Sequence, residues 1–203
     1  MKLTIVDTGV ANSASMVSAF ERLDARCDLS RDPRVIDSAS MLVLPGVGSF
    51  GSGMAMLRSN GLDRIIADRI LADRPTLCVC LGLQLLARES EESPGVRGLG
   101  VIDAAVSAFP DEVRRPQFGW NLVEPVPGCV IRSRGYAYFA NSYRITEVPD
   151  GWDGAMSEHG GRFVAALSRG NILACQFHPE LSGAYGASIL GAWMTNAMGA
   201  TPC

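Results

Sequence analysis

Lysine is almost missing from this chain: of its 18 basic residues, only Lys2 is not arginine, and the net charge is -3. A balance of this sign lacks the basic field that holds a phosphate backbone, so an electrostatic nucleic-acid binder is excluded. Histidine is nearly as scarce, with only His159 and His178. No C-x2-C pair accompanies them, so the donors for a zinc site are missing and no metal is expected. No apolar run reaches the roughly 18 residues that span a bilayer. The first apolar stretch, Leu3-Thr4-Ile5-Val6, is stopped by Asp7, too early for an export signal. A cytoplasmic protein with no membrane contact is the expectation. Six cysteines are present, Cys27, Cys78, Cys80, Cys129, Cys175 and Cys203. An even count signals disulfides only in a small secreted chain, and the spacing here is irregular, so five of them read as ordinary reduced thiols.

What is present is apolar: 47% of 203 residues, enough for one domain spanning 1–203 with a sizeable core. The first ninety residues alternate between strand and helix patterns. Leu3-Thr4-Ile5-Val6, Met41-Leu42-Val43-Leu44 and Thr76-Leu77-Cys78-Val79 read as strands apolar on both faces. Helical spacing predicts helices over 13–24, with Ser13 as N-cap, and over 61–73. Such strands belong in a parallel sheet covered by helices, where ligands collect beyond the carboxyl ends of the strands. Residues 100–180 are rich in Gly and Pro, and Phe163-Val164-Ala165-Ala166-Leu167 and Ile172-Leu173-Ala174-Cys175-Gln176-Phe177 suggest an antiparallel meander. A last helix is expected over 183–197. The fold class is therefore α/β: a mixed, largely parallel central sheet flanked by helices, with an antiparallel strand extension.

Three segments carry chemistry. In Val79-Cys80-Leu81-Gly82-Leu83-Gln84 a strand ends at Cys80 and an amphipathic helix is expected to begin at once, the context of a nucleophile elbow. Such a turn lifts the sulfur above the sheet, and a helix N-terminus behind it favours the thiolate. The N–H of Leu81 points where an oxyanion would form. In Gln176-Phe177-His178-Pro179-Glu180 a strand ends at a histidine held extended by the following proline. Glu180 can take the second imidazole N–H and fix the tautomer. Pro45-Gly46-Val47-Gly48 is a loop whose glycines let backbone approach a substrate, and Val47 could supply a second oxyanion donor.

Singly, each segment has a plainer reading. A cysteine on an apolar strand is usually core, and His-Pro-Glu and Pro-Gly-Val-Gly are usually turns. Their joint placement at three predicted strand ends favours chemistry. His159, in Ser157-Glu158-His159-Gly160-Gly161, reads as a solvated hairpin turn.

These residues resemble those of the class I, triad-type glutamine amidotransferases. Within them the chain looks like the glutaminase subunits of imidazole glycerol phosphate synthases. The resemblance runs through Val6-Asp7-Thr8-Gly9-Val10-Ala11-Asn12, Leu44-Pro45-Gly46-Val47-Gly48-Ser49-Phe50-Gly51, the Cys80 segment, Phe118-Gly119-Trp120-Asn121, Tyr138-Phe139-Ala140-Asn141-Ser142-Tyr143 and Gln176-Phe177-His178-Pro179-Glu180. It implies the amidotransferase fold and a glutaminase acting through Cys80 as nucleophile, His178 as proton carrier and Glu180 as its orienting group. Glutamine would be held by Gln84 and by the backbone around Gly48, Asn141, Ser142 and Tyr143. Ammonia would pass to a (β/α)8-barrel cyclase, forming a heterodimer in histidine biosynthesis, with Trp120, Asn121 and Leu181 toward that partner. No cofactor is implied.

The chain departs from the family's usual residues at Cys78 (Gly), Thr8 (Tyr), Ala11 (Gly), Asn141 (His) and Leu181 (Lys). The lysine in place of Leu181 is expected to contact the cyclase. Two other readings therefore stay open: a related amidotransferase feeding a different synthase, and a catalytically silent regulatory subunit.

Overall fold

In the computed structural model, which describes residues 1–9 and 13–199, helices and strands alternate through the first half. The order is β1 (Lys2–Val6), α1 (Ser13–Glu21), β2 (Arg26–Ser30), α2 (Pro33–Ser38), β3 (Leu42–Leu44), α3 (Phe50–Ser59), α4 (Asp63–Leu71), β4 (Thr76–Val79) and α5 (Leu81–Gln84). The second half runs β5 (Glu89–Ser90), β6 (Ala105–Ala108), β7 (Gln117–Pro125), β8 (Gly135–Asn141), β9 (Tyr143–Arg144), β10 (Asp153–Glu158), β11 (Arg162–Arg169) and β12 (Ile172–Cys175). A 3-10 turn over Pro179–Leu181 and α6 (Gly183–Gly199) close it. Ala11, a departure noted above, and Cys203 lie outside the described residues, as does the rest of the 10–12 motif.

Among the described residues, nine strands form one sheet in the order β2-β1-β3-β4-β12-β11-β10-β7-β8. β2, β1, β3, β4 and β12 run parallel; β12 through β8 pair antiparallel. The parallel strands β3, β4 and β12 are buried at every position, as expected of strands covered on both faces. Their side chains divide between two apolar clusters. Phe20, Phe163, Phe177 and Trp193 help fill one; Phe50, Leu57, Ile66 and Ile70 help fill the other. Cys78 lies in the second, fully buried, on a strand whose register with Leu44 and Ala174 is unbroken. It fits as a core residue. No described helix is long and apolar enough to cross a membrane.

The antiparallel extension curls back on the parallel half. The N–H of His178, just past β12, donates to the carbonyl of Tyr138 on β8 (2.9 Å), and the two form an antiparallel bridge. The outermost strand is thereby tied to the centre of the molecule.

The amphipathic helix expected after Cys80 is a single turn, Leu81–Gln84. The carbonyls that would continue it are taken by another segment. Leu99 and Val101 donate to the carbonyls of Leu85 and Leu86 at 2.8 and 2.9 Å, and Gly100 to that of Ala87 at 3.2 Å. β2, α2 and α3 were not anticipated. β2 has mostly exposed or half-buried side chains, so it offers no apolar run to read.

Candidate active site

Cys80 occupies the sharp corner between β4 and α5, with φ +54° and ψ -109°, a conformation rare for a residue with a Cβ. Its N–H is anchored to the Cys175 carbonyl at 2.7 Å, which pins the corner to β12. Strain of this kind persists only where the surroundings hold it. Here they include the loop of residues 45–48: a Cβ on Gly82 would strike the Leu44 carbonyl oxygen, and one on Gly46 would meet the Gly82 nitrogen and the Leu81 side chain at 2.5 Å. Only glycine at both places lets the two turns pass so closely. With α5 reduced to one turn, little helix dipole stands behind the sulfur, and its local hydrogen-bond donors matter more.

The structure brings Cys80, His178 and Glu180 together. His178 is 8% exposed, and its Nδ1 sits 2.8 Å from Glu180 Oε1, whose side chain is equally sequestered. The imidazole and the Cys80 thiol share the wall of one cavity. Burial alone would pull the imidazole pKa down. The interactions with Cys80 and Glu180, with their negative charges, outweigh it and lift the value to about 10. A cation on His178 is thus favoured at neutral pH. Burial raises the thiols of Cys27 to about 11 and Cys78 to about 12, and raises Cys129 and Cys175 too, so these four stay protonated there.

Above the sulfur lies a cavity of about 210 Å³ lined by Val47, Gly48, Cys80, Leu81, Gln84, Glu92, Ala140, Asn141, Ser142, Tyr143 and His178. Every residue expected at the oxyanion hole or the substrate is in this lining. Glu92 was not anticipated. Its Oε2 accepts the Phe50 N–H at 2.6 Å, capping α3 from the cavity wall. Only its place twelve residues beyond Cys80, across an irregular segment, could have pointed to it. Gln176 was also passed over, although its Nε2 lies 3.8 Å from the Cys80 sulfur.

Asn141 is 4% exposed; its Nδ2 donates to the Tyr143 carbonyl at 3.0 Å, while its Oδ1 has no partner among the described residues. A smaller cavity of about 180 Å³ lies on the other side of His178. Met16, Pro45, Gly46, Val47, Val79, Glu180 and Leu181 complete its wall, so it is mainly apolar and borders the exposed Leu181.

Trp120 is 57% exposed, packs edge-on against Tyr138 at 6.2 Å and sits beside Gly183. Phe118 and Tyr136 extend this exposed aromatic face along β7 and β8. Asn121 points to the opposite face of β7, where its Nδ2 donates to the Glu158 carbonyl at 2.7 Å. His159 does lie in the β10–β11 turn, half-buried, and its ring is also engaged by neighbours. Nε2 is 2.9 Å from the Arg114 carbonyl oxygen and the ring meets Phe109 edge-on.

Known proteins resemble this chain over nearly its whole length. The family model described as Glutamine amidotransferase class-I matches residues 4–195. The chain is 42% identical over 196 residues to the imidazole glycerol phosphate synthase subunit HisH of Escherichia coli K12, covering 94% of this chain and 97% of that one. It is 38% identical over 196 residues to the HisH of Symbiobacterium thermophilum, covering 95% and 92%. Among solved structures it superposes on a glutamine amidotransferase with a TM-score of 0.77 at 20% identity, covering 97% and 99%. The acivicin-bound glutaminase domain of Trypanosoma brucei CTPS gives 0.68 at 15% identity, covering 100% and 96%.

Proposed function

Because the chain belongs to the class-I glutamine amidotransferase family, we propose that it is the glutaminase subunit of an imidazole glycerol phosphate synthase. It hydrolyses L-glutamine to glutamate and ammonia for a partner subunit in histidine biosynthesis. The observation that carries the chemistry is that Cys80 and His178 line one cavity at one end of the sheet, with the Glu180 carboxylate hydrogen-bonded to the imidazole at 2.8 Å.

Cys80 Sγ attacks the carboxamide carbon of glutamine. The developing oxyanion sits against the N–H of Leu81 and of Val47, both in the cavity wall. His178 passes its proton to the departing nitrogen, the C–N bond breaks, and ammonia leaves behind a thioester. Water, deprotonated by the now neutral His178, cleaves the thioester to glutamate and returns the thiol. Glu180 holds the imidazole by Nδ1 throughout. Glu92 supplies the negative charge that the glutamine α-ammonium group requires. The unpartnered Asn141 Oδ1 accepts a substrate N–H, which offsets the cost of burying it bare. Gly48, Gln84, Ser142 and Tyr143 complete the wall.

Residues 1–203 act as one domain in the cytoplasm. The partner is a (β/α)8-barrel cyclase, joined as a heterodimer through the face carrying Trp120 and Leu181, with Asn121 bracing the strand beneath. Ammonia leaves by the apolar cavity between His178 and Leu181. The test is glutamate release by the chain mixed with a cognate cyclase. Turnover is abolished in Cys80→Ala and kept in Cys78→Ala; full turnover in Cys80→Ala would overturn the assignment. The reading that the acceptor is another synthase predicts no stimulation by the cyclase.

A further inference from the structure

Gln176 is wholly buried and stands two residues before His178, with its Nε2 3.8 Å from the Cys80 sulfur. Its orientation is dictated by a chain of neighbours. The Tyr143 backbone carbonyl can only accept, so Gln84 must turn its NH2 group toward it, at 3.1 Å. The same Gln84 nitrogen donates to Gln176 Oε1 at 3.0 Å. With its oxygen so engaged, Gln176 is left with its NH2 facing the sulfur. The amide orientations thus follow from the network and not from free choice.

We propose that Gln176 is a positioning residue for the nucleophile: it donates an N–H to the Cys80 thiolate, locked in place by Gln84 and the Tyr143 carbonyl. Sulfur is large and polarizable, so a donor at this distance acts on it chiefly when it is charged. In a buried site such a donor is worth more than in water. His178 faces the same sulfur, but it surrenders its proton during the reaction. Gln176 has no proton to surrender, so its donor persists through both steps. It supports the sulfur again when the thioester breaks and the thiolate leaves. α5 is only one turn long, so this fixed dipole supplies part of what a longer helix would.

The inference rests on Cys80 being the nucleophile, yet its test needs no glutamine turnover. The full chain is treated with iodoacetamide across a pH series, and alkylation of Cys80 is followed by peptide mass mapping. Gln176→Met keeps the length of the side chain and removes the N–H; it raises the pH midpoint of Cys80 alkylation by about one unit, roughly a tenfold loss of thiolate. Gln176→Glu, which puts a carboxylate beside the sulfur, raises it further. With the cyclase present, Gln176→Met lowers kcat about tenfold and changes KM less than twofold. A folded Gln176→Met protein with the wild-type midpoint overturns the proposal. Should that variant fail to fold, Gln84→Met releases the lock and shifts the midpoint upward by a smaller amount; an unmoved midpoint there is equally fatal. Absence of glutamate release by the wild-type complex would sink the glutaminase reading alone, leaving the thiol titration to judge Gln176.

Discussion

The backbone N–H of His178 is held by the carbonyl of Tyr138, whose ring packs against the exposed Trp120. The aromatic surface and the imidazole are therefore joined through one strand. Ser182 reinforces the joint: its hydroxyl donates to the His178 carbonyl at 2.6 Å and accepts the Tyr138 N–H at 3.0 Å. Loss of this hydroxyl in Ser182→Ala leaves the Tyr138 N–H without its partner in a part-buried place, while the His178 carbonyl keeps only the Leu181 N–H at 3.1 Å. Stability falls by about 1–3 kcal/mol, read by urea unfolding. kcat falls several-fold while Cys80 remains alkylatable.

Glu180→Gln keeps the shape of the side chain but removes the charge that supports the imidazolium. Glutamate release with the cyclase present falls by about 10²–10⁴-fold, with KM little changed. A variant within threefold of wild type would show that Glu180 is not the orienting group.

The lifted pKa of His178 makes stability depend on pH in a stated direction. Its folded value, about 10, lies above the ordinary 6.5. The cation therefore contributes stability that is fully present below pH 6.5 and is lost as pH rises through 10. Thermal melts of the wild type decline over that window, and those of His178→Asn decline less. Parallel curves for the two proteins would contradict the shift.

Glycine at 82 is required by space and not by φ. Gly82→Ala drives a methyl group into the Leu44 carbonyl, so it destabilises by about 1–3 kcal/mol or more and displaces the sulfur. Cys78→Gly, which restores the residue usual in the family, opens a hole in a buried strand and costs about 1–2 kcal/mol. It leaves glutaminase activity near wild type. Denaturant midpoints and turnover measured together separate the two cases.

The exposed aromatic face predicts where the partner binds. Trp120→Ala weakens association with the cyclase by about 30-fold, the loss of one aromatic anchor, measured by titration calorimetry. Leu181→Lys changes the salt dependence of binding, because it adds a charge where the surface is apolar. Cys80 alkylation stays as in the wild type in the free Trp120→Ala chain. Unaltered affinity in Trp120→Ala would move the interface elsewhere.

Strand and motif identity were legible locally. Thr76-Leu77-Cys78-Val79 reads as a buried strand because every side chain is apolar or small, and the elbow, the His-Pro-Glu turn and the Gly-Val-Gly loop are short patterns whose chemistry is written in adjacent residues. Glu92, Gln176 and the brevity of α5 were not legible, since each depends on atoms far away in the chain. Gln176 matters because β12 lies beside β4; Glu92 because its segment folds over α3; α5 ends because residues 99–101 take the carbonyls of Leu85, Leu86 and Ala87 that would continue it.

By itself, then, the amino-acid order determined which groups could act as nucleophile, base and orienting carboxylate, since those are properties of side chains and of the turns that follow them. Tertiary structure alone decided that the three share one buried volume, that the imidazole is favoured as a cation, and which amide face meets the sulfur. Desolvation and hydrogen-bond direction depend on what surrounds a group in space, and the parallel crossover that makes β12 a neighbour of β4 has no local signature in the chain.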